Sequence, residues 1–355
     1  MIKHPEFSNP STVQAPKSQL QNSFSGWSPL AFSARYNNGR WGVEGLLEGN
    51  QLSIDVSASG LQFGQSVFEG CIASRNRRTD LGAKIQLFRP QSYYSRLVNS
   101  CNRVCIPPPS ERFFIEALSV IAQEGSQWEQ PFSSDLLYMR PLLFGSDGGI
   151  MPGTATEYRF VVLCAPFVRP FKSEGQNLVT EPHYSRTAPN GLGSAKTGAN
   201  YAHSHLPTRA AHENLYDSIL WLDSTSRSLI EEANVANIFF ETKSSIITPR
   251  SSGNFLRGVT RDSVICLLKT EYNAAVHEVD ISVDEIFDMY NNGNLLSIFC
   301  TGTAVGIQPV KSLTHGTATL VIENESLLVQ KIRSRLLAIQ HGKESESNGW
   351  MHSIT

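Results

Sequence analysis

The sequence predicts an α/β fold of the two-domain α+β kind, and three observations lead there. At 355 residues the chain exceeds what one compact core usually holds. Strand-like apolar runs alternate with helix-patterned ones along the first half. A polar stretch containing proline and glycine, residues 170–190, then interrupts the pattern and reads as a loop between two units.

The first 27 residues are rich in Ser, Gln, Pro and Asn and are expected to be disordered. They lack the apolar run of a secretory signal. They also lack arginine and carry Pro5, Pro10 and Pro16, which argues against the amphipathic helix of a mitochondrial transit peptide. The expected compartment is the cytoplasm, with mitochondria left open. Residues 28–169 make the smaller N-terminal unit. In it Pro107-Pro108-Pro109-Ser110 precedes Phe114, Ala117, Leu118 and Ile121, a single apolar stripe that predicts a helix with Ser110 as its N-cap. Leu136 to Phe144 and Tyr158 to Cys164 read as strands. Residues 191–355 make the larger unit. Ser218 to Leu222 and Asn237 to Glu241 read as strands, Val259 to Thr270 as a helix, and Leu327 to Ile339 as an apolar-striped helix stopped by Gly342.

A net charge of −2 offers no electrostatic footprint for nucleic acid or an anionic membrane. No apolar run reaches the roughly 18 residues that span a bilayer, so a soluble protein is expected. The six cysteines show neither zinc-site nor disulfide spacing, and no metal is implied. Cys101 and Cys105 are four apart in a predicted helix, where they would share a face as small semi-buried side chains.

The chemistry is expected at Lys196. It lies within Gly191-Leu192-Gly193-Ser194-Ala195-Lys196-Thr197-Gly198-Ala199-Asn200-Tyr201, small residues with one amine and, five positions on, one phenol. On composition alone this is either a solvated surface turn or a place where a flat cofactor can approach the backbone and form a Schiff base.

The segment resembles the cofactor-lysine region of the branched-chain amino acid aminotransferases, class IV enzymes of fold type IV that use pyridoxal 5'-phosphate. Further blocks follow in the family's order: Gly60-Leu61-Gln62-Phe63-Gly64-Gln65-Ser66-Val67-Phe68-Glu69-Gly70, then Leu87-Phe88-Arg89-Pro90 with Arg96, then Tyr138-Met139-Arg140-Pro141. Glu231-Glu232-Ala233-Asn234-Val235-Ala236-Asn237-Ile238-Phe239, Gly258-Val259-Thr260-Arg261 and Thr301-Gly302-Thr303-Ala304 complete the set. The resemblance runs from about Ser28 to the C-terminus. It implies a fold type IV enzyme, with the cofactor between a small N-terminal and a large C-terminal domain.

The resemblance also implies roles. Lys196 would hold the cofactor and shuttle the α-proton. Glu232 would pair with the protonated pyridine nitrogen, with Glu231 as the alternative one position away. Tyr201 would donate to the ring oxygen. Arg96, the amides of Val259 and Thr260 at a helix start, and the Thr303 hydroxyl would hold the phosphate. Tyr138 and the amides of Thr303 and Ala304 would take the substrate α-carboxylate, Arg140 a second carboxylate, and Phe63 and Phe68 the remainder of the substrate. Tyr138 and Arg140, two apart on a strand, would face one side. A homodimer with each site closed by its neighbour is expected, with an amino acid and a 2-oxo acid as the small-molecule partners.

Several positions depart from the family pattern. Phe63 replaces a tyrosine, Val235 a threonine, Asn234 a glycine, Arg257 a proline and Cys300 a glycine, while Val305 and Gln308 stand where mammalian members carry a Cys-x-x-Cys pair. The expected activity is transamination between an apolar, branched-chain-like L-amino acid and a 2-oxo acid. An altered pocket also suits a specialised paralogue in secondary metabolism. The competing readings are a fold type IV lyase and a weakly active cofactor-binding accessory protein.

Overall fold

In the computed structural model, residues 31–47, 51–76, 84–126, 136–344 and 347–354 are described. The segment read as disordered, 1–27, lies outside them. Two sheets organise the chain.

The first sheet is antiparallel throughout. Its strands are β1 (Ala31–Asn37), β2 (Arg40–Leu47), β3 (Ser66–Phe68), β4 (Cys71–Asn76), β5 (Lys84–Phe88), β6 (Leu136–Gly145) and β7 (Tyr158–Pro166). The path β5-β4-β6-β7-β1-β2 gains the C-terminal strand Met351–Ile354 beside β5, and β3 pairs with β6 off this path. Short helix α1 (Ser59–Gln62) leads into β3. Helices α2 (Pro90–Arg103) and α3 (Glu111–Ser126) follow β5. The stripe of α3 packs as predicted: Phe114, Ala117, Leu118 and Ile121 are all buried, and Ser110 Oγ accepts the Phe113 amide at 3.2 Å. Strand β6 reads as a near-continuous apolar run because it lies in mid-sheet with most of its length buried.

The second sheet is mixed and contains β8 (Gln176–Thr180), β9 (Ser218–Leu222), β10 (Ile230–Ala233), β11 (Asn237–Thr242), β12 (Ile246–Pro249), β13 (Val276–Val279), β14 (Leu295–Gly302), β15 (Gly306–His315) and β16 (Ala318–Val321). Of its three parallel pairs, β8 with β9 and β12 with β13 are joined by helical crossovers, and the third sets β8 beside β15. The first crossover carries α4 (Ala199–Ala202) and α5 (His205–Glu213), and the second is α6 (Val259–Thr270). Helices α7 (Val283–Asn291) and α8 (Leu327–Gln340) follow. Phe239 and Phe299 pair across β11 and β14 with centroids 4.9 Å apart and rings within 2° of parallel. That register also sets Asn237 opposite Thr301, at the strand ends where the cavity opens.

Two expectations fail. The stretch 170–190, read as a loop, carries β8 within the second sheet. Cys101 is buried on α2, but α2 ends at Arg103, and Cys105 is exposed with φ +57°, so the two do not share a helical face. All six cysteines are unpaired, and no described helix is long and apolar enough to cross a membrane.

Candidate active site

A cavity of about 520 Å³ opens where the two sheets face each other. Most of the predicted residues line it: Lys196, Tyr201, Glu232, Arg96, Val259, Thr260, Thr303, Phe68, Tyr138, Arg140 and Ala304. They come from β3, α2 and β6 on one side and from α4, β10, α6 and the β14–β15 turn on the other.

The lysine loop is held from three directions. The Lys196 amide donates to Ser100 Oγ on α2 at 2.9 Å, and its carbonyl accepts from the Phe68 amide at 2.9 Å. Gly193 packs against the backbone of Asn254 so closely that a Cβ there would stand 2.0 Å from the Asn254 carbonyl oxygen, which only glycine permits. Lys196 Nζ then donates to Tyr201 Oη at 2.8 Å and sits 4.7 Å from the Phe68 ring centroid. Lys196 is half-buried, lines the cavity and makes no ion pair among the described residues, which argues against the surface-turn reading of this segment.

Glu232 and Glu231 separate as neighbours on a strand must. Glu232 lines the cavity; Glu231 does not. Arg186 Nε lies 2.5 Å from Glu232 Oε1, with both side chains about nineteen-twentieths buried (5% and 6% exposed). Asn237 Nδ2 donates to Glu232 Oε2 at 3.2 Å. Burial pushes the Glu232 carboxyl up, and the Arg186 charge opposes that shift. Among the described residues neither Glu231 oxygen has a hydrogen-bond partner at normal geometry, and burial drives its carboxyl up to about 7. The buried, ion-paired glutamate facing the cavity is Glu232.

Arg96 meets Glu69 in a bidentate pair, with Nε to Oε1 at 2.8 Å and Nη2 to Oε2 at 2.7 Å, while Nη1 donates to the Arg257 carbonyl at 3.3 Å. Glu69 is fully buried, and that fork sets a guanidinium against both of its carboxylate oxygens. Gly258 caps α6 in an extended conformation, and Val259 and Thr260 begin the helix at the cavity wall, where amides have no intrahelical partner. Thr303 Oγ1 is 3.0 Å from Tyr93 Oη, a hydroxyl pair that leaves Thr303 able to serve one further partner. Tyr138 and Arg140 do project to one side of β6: Arg140 Nη2 donates to Tyr138 Oη at 3.0 Å, and its guanidinium lies 4.7 Å from the Phe68 ring. Thr260 Oγ1, Thr301 Oγ1 and Arg140 Nε belong to cavity-lining residues and are buried without a hydrogen bond among the described residues.

Phe63 is the exception among the predicted residues. It is 41% exposed and outside this cavity. Of the departures, Asn234 and Val235 line the cavity, and Asn234 Nδ2 donates to Thr208 Oγ1 at 2.9 Å. Cys300 is buried in the core of the second sheet, and Arg257 contributes its carbonyl rather than its exposed side chain. Sequence reasoning missed Arg186, which sits in the stretch taken for a linker, and Tyr93. Glu69, within Phe68-Glu69-Gly70, had no expected role either.

The chain matches the class IV amino-transferase family over residues 67–313. A probable branched-chain-amino-acid aminotransferase of Staphylococcus aureus (strain N315) is 33% identical over 304 residues, covering 84% of this chain and 83% of that protein. The branched-chain-amino-acid aminotransferase of Helicobacter pylori (strain J99) is 33% identical over 329 residues, covering 91% and 93%. Among solved structures, the branched-chain aminotransferase of Thermoproteus uzoniensis with norvaline superposes with TM-score 0.73 at 21% identity, covering 91% of this chain and all of that one.

Proposed function

Since the chain belongs to the class IV aminotransferases, which work with pyridoxal phosphate, we propose that it transfers the amino group of a branched-chain or similarly apolar L-amino acid to a 2-oxo acid. The observation that carries this reading is the Lys196 amine held 2.8 Å from the Tyr201 phenol, in a cavity that also presents Glu232 and Arg96.

The residues present fit the cofactor. Buried hydroxyls of Thr260 and Thr301 without hydrogen bonds, and helix-start amides at Val259 and Thr260, suit a polar, anionic guest. When bound, pyridoxal phosphate supplies an aldehyde that exchanges amines and a protonated ring that accepts electrons. Lys196 would hold the group through its amine and would serve as base and acid for the α-proton. Tyr201 orients the lysine amine. Glu232 would pair with the ring nitrogen, and the buried Arg186 guanidinium opposes the upward shift that burial imposes on the Glu232 carboxyl. Arg96, the amides of Val259 and Thr260, and the Thr303 hydroxyl hold the phosphate. Tyr138 and the amides of Thr303 and Ala304 take the α-carboxylate, while Phe68 walls the side-chain pocket. Arg140, without a carboxylate partner among the described residues, receives the distal carboxylate of a dicarboxylic donor.

The test is the absorbance spectrum of the purified protein with pyridoxal phosphate, before and after leucine, isoleucine, phenylalanine or glutamate. Conversion to the pyridoxamine band with leucine or isoleucine is the expected result. A spectrum unchanged by every amino acid would defeat the proposal.

The same reading makes the enzyme a homodimer. Val56, Leu61, Phe63, Ile150 and Met151 are exposed apolar side chains on adjoining segments, since Ala58 bridges to Gly148, and burial against a second copy would cover them. Light scattering on the active enzyme should give twice the chain mass; an active monomer would refute it.

A further inference from the structure

A half-buried arginine, Arg169, whose Nε and Nη1 are shielded from solvent, stands behind the cavity. Residues Phe167 to Lys172 run along the β14–β15 turn as a strap. The strap is tied at one end by Gln308, whose Nε2 donates to the Lys172 carbonyl at 2.7 Å and whose Oε1 accepts from the Lys172 amide at 3.2 Å. Lys172 Nζ is satisfied by Asp217 at 2.8 Å. Arg169 has no such partner: among the described residues no carboxylate pairs with it, and its Nε and Nη1 are buried without a hydrogen bond. Its one hydrogen bond runs from Nη2 to the Thr303 carbonyl at 3.3 Å. Gly306, at φ +68°, makes room for it; a Cβ there would be 2.6 Å from Arg169 Cδ.

An unpaired buried guanidinium is costly unless an anion compensates it. Burial lowers the Arg169 pKa to about 10, which leaves the group charged at neutral pH. By drawing the Thr303 carbonyl to itself, Arg169 sets the orientation of the turn that carries the Thr303 and Ala304 amides. The stack continues forward, since the Arg169 guanidinium is 5.9 Å from the Phe167 ring and Phe167 is 5.4 Å from Tyr138. We infer that Arg169 is a positioning residue for the Thr303–Ala304 turn, and that its charge tightens the grip of that turn on the substrate α-carboxylate. The inference rests on the reading of this turn as the carboxylate subsite.

The test uses the cofactor-loaded full chain and 4-methylvalerate, a carboxylate without an amine, which reports binding at this subsite without turnover. R169Q keeps a donor for the Thr303 carbonyl but removes the charge, and R169K keeps the charge; R169M replaces R169Q should the latter fold poorly. R169Q should weaken 4-methylvalerate by about tenfold, the scale of one charge acting across several ångströms of protein. The KM for the amino acid should rise with it and kcat stay within about twofold, since a uniform-binding interaction is lost. R169K should restore most of the affinity. Unchanged affinity in a folded R169Q, or equal weakening in R169Q and R169K, would overturn the inference and leave Arg169 a packing strut. A wild type that takes up cofactor at Lys196 yet binds no carboxylate would overturn it together with the subsite assignment, whereas failure to take up the cofactor would strike the proposed function itself.

Discussion

Replacing Lys196 with alanine abolishes covalent cofactor capture and lowers turnover by at least about 10³-fold, because the variant loses both the anchoring amine and the proton carrier. The fold should survive. Lys196 makes no ion pair among the described residues, and its single side-chain hydrogen bond goes to Tyr201, so little stability depends on it. Borohydride reduction of the wild type with pyridoxal phosphate should add the cofactor's mass to the peptide containing Lys196, and in K196A to no peptide. Noncovalent uptake should persist in K196A through the phosphate-facing groups. A K196A enzyme that keeps wild-type turnover, or a reduced adduct on another lysine, would remove Lys196 from the chemistry.

Glu232→Gln should be the second most damaging change, and it acts in two ways. Removing the carboxylate charge leaves nothing in the cavity wall to hold the ring nitrogen protonated, for which a loss in kcat on the order of 10²–10³-fold is expected, as for other preorganised charges aimed at a reacting group. It also strands Arg186, which is 5% exposed. Breaking a buried pair from one side costs about 3–5 kcal/mol, or roughly 4–7 °C of melting midpoint for a chain of this size. R186Q separates the effects, because it breaks the same pair but keeps the carboxylate. E232Q should be far slower than R186Q at a comparable loss of melting temperature. If the two variants were equally slow, Glu232 would matter only as a counter-ion for Arg186.

Much of the site could be read along the chain because its parts are local. The Gly-Ser-Ala setting of Lys196, the phenol five residues on, the Tyr-x-Arg strand and the entry to α6 at Gly258 are each short patterns whose geometry follows from backbone conformation. Tyr138 and Arg140 share a face because strand side chains alternate, and the same alternation separates Glu231 from Glu232. The sequence could not say which of those two glutamates faces inward, since that depends on which side of β10 the cavity lies. Where the expectation for the cysteine pair failed, the helix stopped two residues earlier than the pattern required, and Cys105 took a left-handed conformation that no apolar spacing announces.

The sequence by itself determined the family and the order of the elements and singled out Lys196 as the expected reactive amine, since these rest on short motifs and on periodicities carried by neighbouring side chains. The tertiary structure alone decided how the charges are paired. Arg96 meets Glu69 across 27 positions, Arg186 meets Glu232, and Arg169 is left with the Thr303 carbonyl across 134. It also returned the C-terminal strand to the first sheet and left Phe63 outside the cavity of its own chain. Whether a buried charge finds a partner depends on the distance between side chains in space, and sequence separation carries no record of that distance.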